Sequence, residues 1–137
     1  MNKLIVSGLR TCEHKEEVYK EISKYIAEIG IVEEIISGGS SGVDMFTKEY
    51  AREHGIKFKE FEPNWQSDIN AAGMIRDTRM AEYGTHLLVI SNGINKGSLN
   101  LIEEARKNRL RIKTVGVFEG MSEPEPNLAG AYPGSFY

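Results

Sequence analysis

Short apolar runs alternate along the chain with segments in which apolar residues recur every three or four positions. The runs predict strands at Lys3–Ser7, Glu33–Ser37, Lys57–Phe61, His86–Ser91 and Ile112–Phe118. The segments of helical period predict helices at Lys15–Ile29, Val43 to about His54, Ala71–Tyr83 and Ser98–Asn108. Because strands that alternate with helices form βαβ units, we expect an α/β fold. It should be a Rossmann-like, doubly wound, mainly parallel sheet of five strands with helices on both faces.

Two strands have patterns that place them in the sheet. Lys57–Phe61 alternates charged and apolar residues, which is typical of a half-exposed edge strand, whereas His86–Ser91 is almost wholly apolar and should lie near the centre. The 137 residues predict one domain at 1–118 and a tail at 119–137, where three of the four prolines occur. The tail has no periodicity, so it is either a docked arm or disordered.

Composition and charge argue against a nucleic-acid-binding, membrane-spanning or secreted protein. With 17 Lys plus Arg against 20 Asp plus Glu, the net charge of −3 argues against broad capture of nucleic acid or of an anionic membrane. The longest aliphatic run, Leu87–Ile90, is far short of the ~20 residues of a membrane span. Leu4–Val6 is too short for a secretory signal, and the single cysteine cannot form an internal disulfide. We therefore expect a cytoplasmic protein.

Metal and redox chemistry find little support in the sequence. The three histidines are far apart and show no metal-ligand spacing, so we expect neither a metal nor another cofactor. Cys12 is interpreted as a partly exposed structural thiol, and the pairs Glu33-Glu34 and Glu103-Glu104 as solvated charges.

The strongest local signal is a glycine-rich turn between a predicted strand and a predicted helix, with the sequence Ser37-Gly38-Gly39-Ser40-Ser41-Gly42-Val43-Asp44. Glycines let the backbone approach a ligand closely, and the N-terminus of a helix favours an anion such as phosphate. The alternative is a tight turn in which Ser40 or Ser41 caps the helix and Asp44 complements its dipole.

Further candidates follow other strands. The turn Asn92–Ser98 repeats the arrangement, with Gly97 and Ser98 at the start of a helix, and Ser7-Gly8-Leu9-Arg10 adds an arginine that can bind phosphate. Since ligands of doubly wound sheets bind beyond the carboxyl ends of the strands, these turns should lie together.

Three side chains outside these turns are further candidates. Arg76 and Arg79 share one face of a predicted helix, and Trp65 could stack on a base. Their alternatives are a solvated helix face for the arginines and a place in the core or an interface for the tryptophan.

In this order, the turns Ser7–Arg10 and Ser37–Asp44, Trp65, the helix segment Ala72–Met80 and the pair Gly97-Ser98 resemble the YspA/YpsA-related branch of the SLOG superfamily. The resemblance covers roughly residues 3 to 117. It implies a Rossmann-like protein that binds or processes nucleotides or ligands derived from them, and it makes homo-oligomerisation a reasonable expectation.

The chain departs from that branch at Asp77, where the family has asparagine, and at Ser98, where it has threonine. The related LOG-type phosphoribohydrolases have a catalytic arginine, which the resemblance aligns with Arg76, and a catalytic glutamate, which it aligns with Leu101. Cleavage of an N-glycosidic bond needs a carboxylate, and leucine cannot supply one.

We therefore predict a protein that binds a nucleotide or nucleotide-derived signalling ligand, as a sensor or a sequestering protein without clear catalytic machinery. Phosphate would lie on the Gly38–Gly42 turn and at Gly97-Ser98, while Asp44 would fix the turn or a ribose hydroxyl. The candidate ligand-binding residues are Ser7, Gly8, Arg10, Gly38, Gly39, Ser40, Ser41, Gly42, Asp44, Trp65, Arg76, Arg79, Asn92, Gly97 and Ser98.

Two alternatives stay open. The first is a nucleoside or nucleotide N-glycosidase, or a deoxyribosyltransferase-like enzyme, that uses Asp44, Asp77 or Glu104 as its carboxylate. The second is a DprA-like binder of single-stranded DNA, which the acidic balance makes the weakest of the three.

Overall fold

A computed structural model describes residues 1–63, 71–91 and 98–116 of the chain. Within them, five strands alternate with four helices. The elements are β1 (Asn2–Gly8), α1 (Lys15–Ile29), β2 (Val32–Ser37), α2 (Val43–Glu53), β3 (Lys57–Glu60), α3 (Ala72–Tyr83), β4 (His86–Ser91), α4 (Leu99–Lys107) and β5 (Arg111–Gly116). The predicted tail at 119–137 and the end of the predicted last strand lie outside the described residues, so the division into domain and tail stays a prediction.

All strand pairs of the sheet are parallel, in the order β3-β2-β1-β4-β5. This confirms the predicted Rossmann-like α/β fold, with β3 at an edge as expected. The six residues of β4 are all buried between β1 and β5. The chain turns from β1 towards β2 on one side and later enters β4 on the other, so the topological switch point lies between β1 and β4.

Alternate residues of the strands separate two hydrophobic cores, one on each face of the sheet. Leu4 and Val6 of β1 pack with α1 and α2, whereas Ile5 between them packs with α3 and α4. Since burial on both faces is what makes parallel strands continuously apolar, this arrangement explains the pattern of β1 and β4. None of the helices in the described ranges is both long and apolar enough to cross a bilayer.

Two side chains are more deeply buried than the sequence suggested. Glu34, interpreted as a solvated charge, is buried in the sheet and accepts a hydrogen bond from the hydroxyl of Tyr83 at the end of α3. Cys12 is also buried rather than partly exposed, and its Sγ accepts the backbone N–H of His14 at 3.4 Å. The causes differ: the fold brings Tyr83 to Glu34 from 49 residues along the chain, whereas Cys12 is buried because it packs in the hydrophobic core with α1 and α2.

Candidate functional site

A cleft of about 580 Å³ opens at the carboxyl edge of the sheet, above the switch point. This volume lies within the range of small-ligand sites, roughly 300–1,000 Å³. Its wall combines the turn after β1, the turn after β2, and side chains of α3 and α4. The residues that line it are Ser7, Gly8, Leu9, Arg10, Thr11, Gly38, Gly39, Ser40, Asp44, Pro63, Gly73, Arg76, Asp77, Met80 and Leu101.

The turn after β1 packs directly against the start of α2. The carbonyl oxygen of Leu9 accepts the backbone N–H of Val43 at 3.0 Å. A Cβ on Gly8 would lie 2.1 Å from the carbonyl oxygen of Ile90, and one on Gly42 would lie 2.2 Å from that of Leu9. These two glycines were predicted to bind ligand, and this stays a prediction. Their geometry shows that both positions also require glycine for packing, because no larger residue leaves room for the neighbouring backbone.

The glycine-rich turn after β2 is closed by hydrogen bonds within the protein. Gly39, at φ +84°, donates its backbone N–H to Ser37 Oγ at 3.2 Å, and Ser40 donates its own to Asp44 Oδ2 at 3.0 Å. Two N–H groups that were expected to face a phosphate therefore already have acceptors. The carboxylate of Asp44 accepts one of these N–H groups, that of Ser40.

The expected serine cap of α2 is wrong. Gly42 stands at the N-cap with no side-chain hydrogen bond, and Ser41 instead donates its hydroxyl to the carbonyl oxygen of Arg10 at 2.9 Å. Ser41 thus joins the first two turns to each other. The expectation that Asp44 lies in the first turn of the helix, where its charge complements the dipole, is confirmed.

Arg76 on α3 connects the second turn to a buried carboxylate. Its Nη1 donates to the carbonyl oxygen of Gly38 at 2.8 Å, and its Nε donates to Asp77 Oδ1 at 2.9 Å. Asp77 Oδ2 accepts a second hydrogen bond, from Asn100 Nδ2 on α4, at 3.1 Å. Arg76 is therefore held in place at the cleft wall before any ligand arrives.

Burial sets the electrostatics of the two carboxyl groups that line the cleft. Desolvation raises the pKa of Asp44, although the Ser40 N–H and the charge of Arg76 oppose that shift. Desolvation likewise raises the pKa of Asp77 against the opposing effects of Asn100 and Arg76. The two arginines and two aspartates on the described wall make its formal charge close to zero.

Some of the predicted residues meet at this site and others do not. Ser7 Oγ lies 3.2 Å from Ser98 Oγ, which joins the end of β1 to the start of α4. Arg79 is exposed and does not line the cleft. The predicted contacts of Trp65, Asn92 and Gly97 lie outside the described residues.

The sequence analysis missed the role of two side chains. Asp77 had been weighed as an enzyme's carboxylate but not as the partner of Arg76 and Asn100, and Asn100 had not been singled out at all. A signal for Asp77 exists in the sequence, since Met80 and Ala81 follow it at helical spacing and all three are buried on α3. Nothing in the sequence indicates the contact with Asn100, which lies 23 residues further along the chain.

The position aligned with the LOG-type catalytic glutamate faces the cleft. Leu101 is buried and lines the wall, whereas Glu103 is exposed on the same helix. A glutamate at position 101 would therefore point to the ligand space, and leucine leaves that part of the wall apolar. Glu104 lies close enough to Asp77 to raise its pKa further.

Comparison with known proteins gives one match. Residues 2–67 match the model of the YspA, cpYpsA-related SLOG family (YAcAr). The matched segment contains the elements from β1 to β3 and therefore the turns after β1 and β2 that line the cleft. No curated protein and no solved structure matches the chain.

Proposed function

Because the chain belongs, through residues 2–67, to the YspA, cpYpsA-related SLOG family, we propose that its cleft binds a nucleotide or a nucleotide-derived signalling ligand. The protein would act in the cytoplasm as a sensor or a sequestering protein. The observation that carries this proposal is the cleft itself, which lies at the switch point of a parallel sheet and has two arginines on its wall. That is where doubly wound sheets place their ligands.

The geometry favours phosphate near the first turn rather than on the glycine-rich turn. Gly39 and Ser40 already donate their N–H groups within the protein, whereas Arg10 is exposed at the mouth of the cleft. Arg10 would therefore supply a solvent-exposed cation, and Arg76, held by Gly38 and Asp77, a fixed one. Two guanidinium groups can together bind one phosphate group.

The experiment is a binding measurement by isothermal titration calorimetry against nucleoside mono- and diphosphates and ADP-ribose, with a short oligothymidylate as the DNA arm. We expect Arg10→Ala to weaken binding of the best nucleotide at least tenfold, since a charge-assisted hydrogen bond contributes about 1.5–3 kcal/mol. Arg79→Ala is the matched control, because it removes an exposed arginine outside the cleft.

Three results would reject the proposal. The first is that the protein binds no nucleotide, and the second is that Arg10→Ala and Arg79→Ala lose affinity for the nucleotide equally. The third is salt-dependent binding of the oligonucleotide alone, which would favour the DNA-binding alternative.

An N-glycosidase or deoxyribosyltransferase-like enzyme is the second candidate. It is favoured by Asp77, a carboxyl group on the cleft wall whose pKa burial raises, because such a group can act as a general acid. Against it, both oxygens of Asp77 already accept hydrogen bonds, and Leu101 stands at the aligned glutamate position. Release of free base from nucleotides, lost in Asp77→Asn, would establish the enzyme in place of the binding protein.

The predicted homo-oligomer is a separate part of the proposal. Met74 and Ile75 on α3 and Leu99 on the neighbouring α4 are exposed apolar side chains, and contacts between copies would cover such side chains. Sedimentation velocity of the full chain tests this, and a monomer at micromolar concentration would reject it.

A further inference from the structure

The chain separates its charges into two blocks after residue 104. Residues 105–116, which we call the basic segment, contain five cations and no acid. The cations are Arg106, Lys107, Arg109, Arg111 and Lys113. The tail at 119–137 contains three glutamates and neither lysine nor arginine. The glutamates are Glu119, Glu123 and Glu125. Blocks of opposite charge that follow each other so closely can attract each other within one chain.

The basic segment forms the end of α4 and the strand β5, which lies at an edge of the sheet. Three of its cations already pair with glutamates of α1 and α4. These pairs are Arg106 with Glu103, Lys107 with Glu104, and Lys113 with Glu28. Arg109 and Arg111 are exposed and have no ion-pair partner in the part of the chain that the structure describes. Two guanidinium groups are therefore available to a partner.

Two further observations concern the charge at this corner of the sheet. Arg109 follows α4 at φ +62°, a left-handed conformation that strains a residue with a side chain and in which helices usually place glycine. Burial lowers the pKa of His86 at the start of β4, and the charge of Arg111, its partner residue on β5, lowers that pKa further. The protein thus holds a cation at a strained position beside a site that is already positive.

The tail matches this surface in charge, length and stiffness. Arg111 lies five residues before Gly116 at the end of β5, a distance of about 16 Å along a strand. Glu123 and Glu125 follow Gly116 by seven and nine residues, so a chain that turns back at about 3.3 Å per residue can bring both to Arg111. Each of the two glutamates is followed by a proline, which restricts the backbone and lowers the entropy that docking costs.

We propose that the tail folds back along the outer edge of β5, so that Glu123 and Glu125 pair with Arg109 and Arg111. Because the tail belongs to the same chain, its effective concentration is high, which favours it over a free anionic partner. The docked tail covers an edge strand whose backbone groups are otherwise open to another chain. This inference is independent of the proposed function, since no residue of β5 lines the cleft described above.

The test is ¹⁵N relaxation of the full chain at low salt, which gives backbone order parameters for the tail residues 119–125. We expect values of about 0.8 in the wild type and below about 0.6 in the double variant Arg109→Gln/Arg111→Gln. Glu123→Gln/Glu125→Gln should give the same loss, and it changes no residue of the described fold. Salt at about 1 M should also release the tail, because the Debye length then falls to about 3 Å.

Arg52→Gln/Lys57→Gln is the matched control, because it removes two cations from the end of α2 and the start of β3, the opposite edge strand. It should leave the order parameters of the tail unchanged.

Three results would overturn the inference. The first is an order parameter below about 0.6 for the wild-type tail, or equal values in the wild type and Arg109→Gln/Arg111→Gln. The second is order that is lost on tenfold dilution, which would place the tail on a second copy of the chain. The third is an oligothymidylate that shifts the resonances of Arg109 and Arg111 but not those of the tail, which would make the basic segment a nucleic-acid surface.

Discussion

The contact between Arg76 and Asp77 gives the sharpest test of the cleft's structure. Their side chains are 18% and 9% exposed, and Nε lies 2.9 Å from Oδ1. Replacement of one partner of a buried ion pair leaves the other charge uncompensated, at a cost of about 3–5 kcal/mol. We expect Arg76→Met to lower the free energy of unfolding by about 3 kcal/mol at pH 7, at the lower end because Asn100 still donates to Asp77.

A double-mutant cycle separates this charge effect from the loss of packing. Asp77→Asn keeps one acceptor for Arg76 but removes its counter-charge and turns an NH₂ group towards a donor. Because the Arg76 side chain is 18% exposed, the more exposed of the two, we expect a smaller loss than in Arg76→Met, about 2 kcal/mol. In the double variant no buried charge is left without a partner, so the loss should be about 1–2 kcal/mol rather than the sum of the two single losses. Arg79→Met on the same helix is the control and should remain within about 0.5 kcal/mol of the wild type.

Urea unfolding followed by circular dichroism measures these differences. With a slope of about 1–3 kcal/mol per molar urea, a loss of 3 kcal/mol moves the midpoint by roughly 1–3 M. The loss in Arg76→Met should also shrink as the pH falls, since Asp77 without its cation takes up a proton more readily when folded than when unfolded. A cost below about 1 kcal/mol, or strict additivity in the cycle, would show that this pair is not the buried contact described.

Two further predictions concern backbone space and pH. Gly8→Ala should destabilise the fold by about 3 kcal/mol or more, because its Cβ would meet the backbone of Ile90. Gly73→Ala, on a helix with open space around the position, should instead stabilise the fold by about 0.5–1 kcal/mol. Thermal unfolding of both variants measures the two changes in stability. The pKa values of Asp44 and Asp77 are raised from 3.8, so ionisation weakens the folded state as the pH rises from that value through the folded pKa. Each Asn variant should therefore gain stability relative to the wild type between pH 4 and pH 7, and a difference that does not change with pH would contradict the burial of that carboxyl group.

The order of elements and the position of the cleft could be predicted from the sequence because both depend on local patterns. The apolar run of β4 and the apolar residues at three- and four-residue spacing in α1 can be read from the sequence without knowledge of the tertiary contacts. Glycine-rich turns that follow strands lie at one edge of any parallel sheet, so the meeting of Ser7 with Gly38 at one cleft followed from topology.

The contacts inside the cleft could not be predicted, because they depend on which face of each helix is buried. Arg76 and Arg79 are neighbours in helical spacing, yet Arg76 lines the cleft and Arg79 is exposed. The buried stripe of α3 includes Asp77, a residue type that is rarely buried without partners, and one of its partners comes from a different helix. Composition of the glycine-rich turn likewise suggested a phosphate site without revealing that Asp44 closes it.

These internal contacts change what the cleft can recognise. A wall with two arginines and no acids would select for phosphate number, but here Asp77 holds one guanidinium and Asp44 closes the turn. On the described wall Arg76 is partly engaged by these contacts and Arg10 is exposed, so the proposed phosphate site has less cationic capacity than two unengaged arginines would give. If the proposed binding function holds, discrimination between ligands must come from their uncharged parts as well as from their phosphate groups.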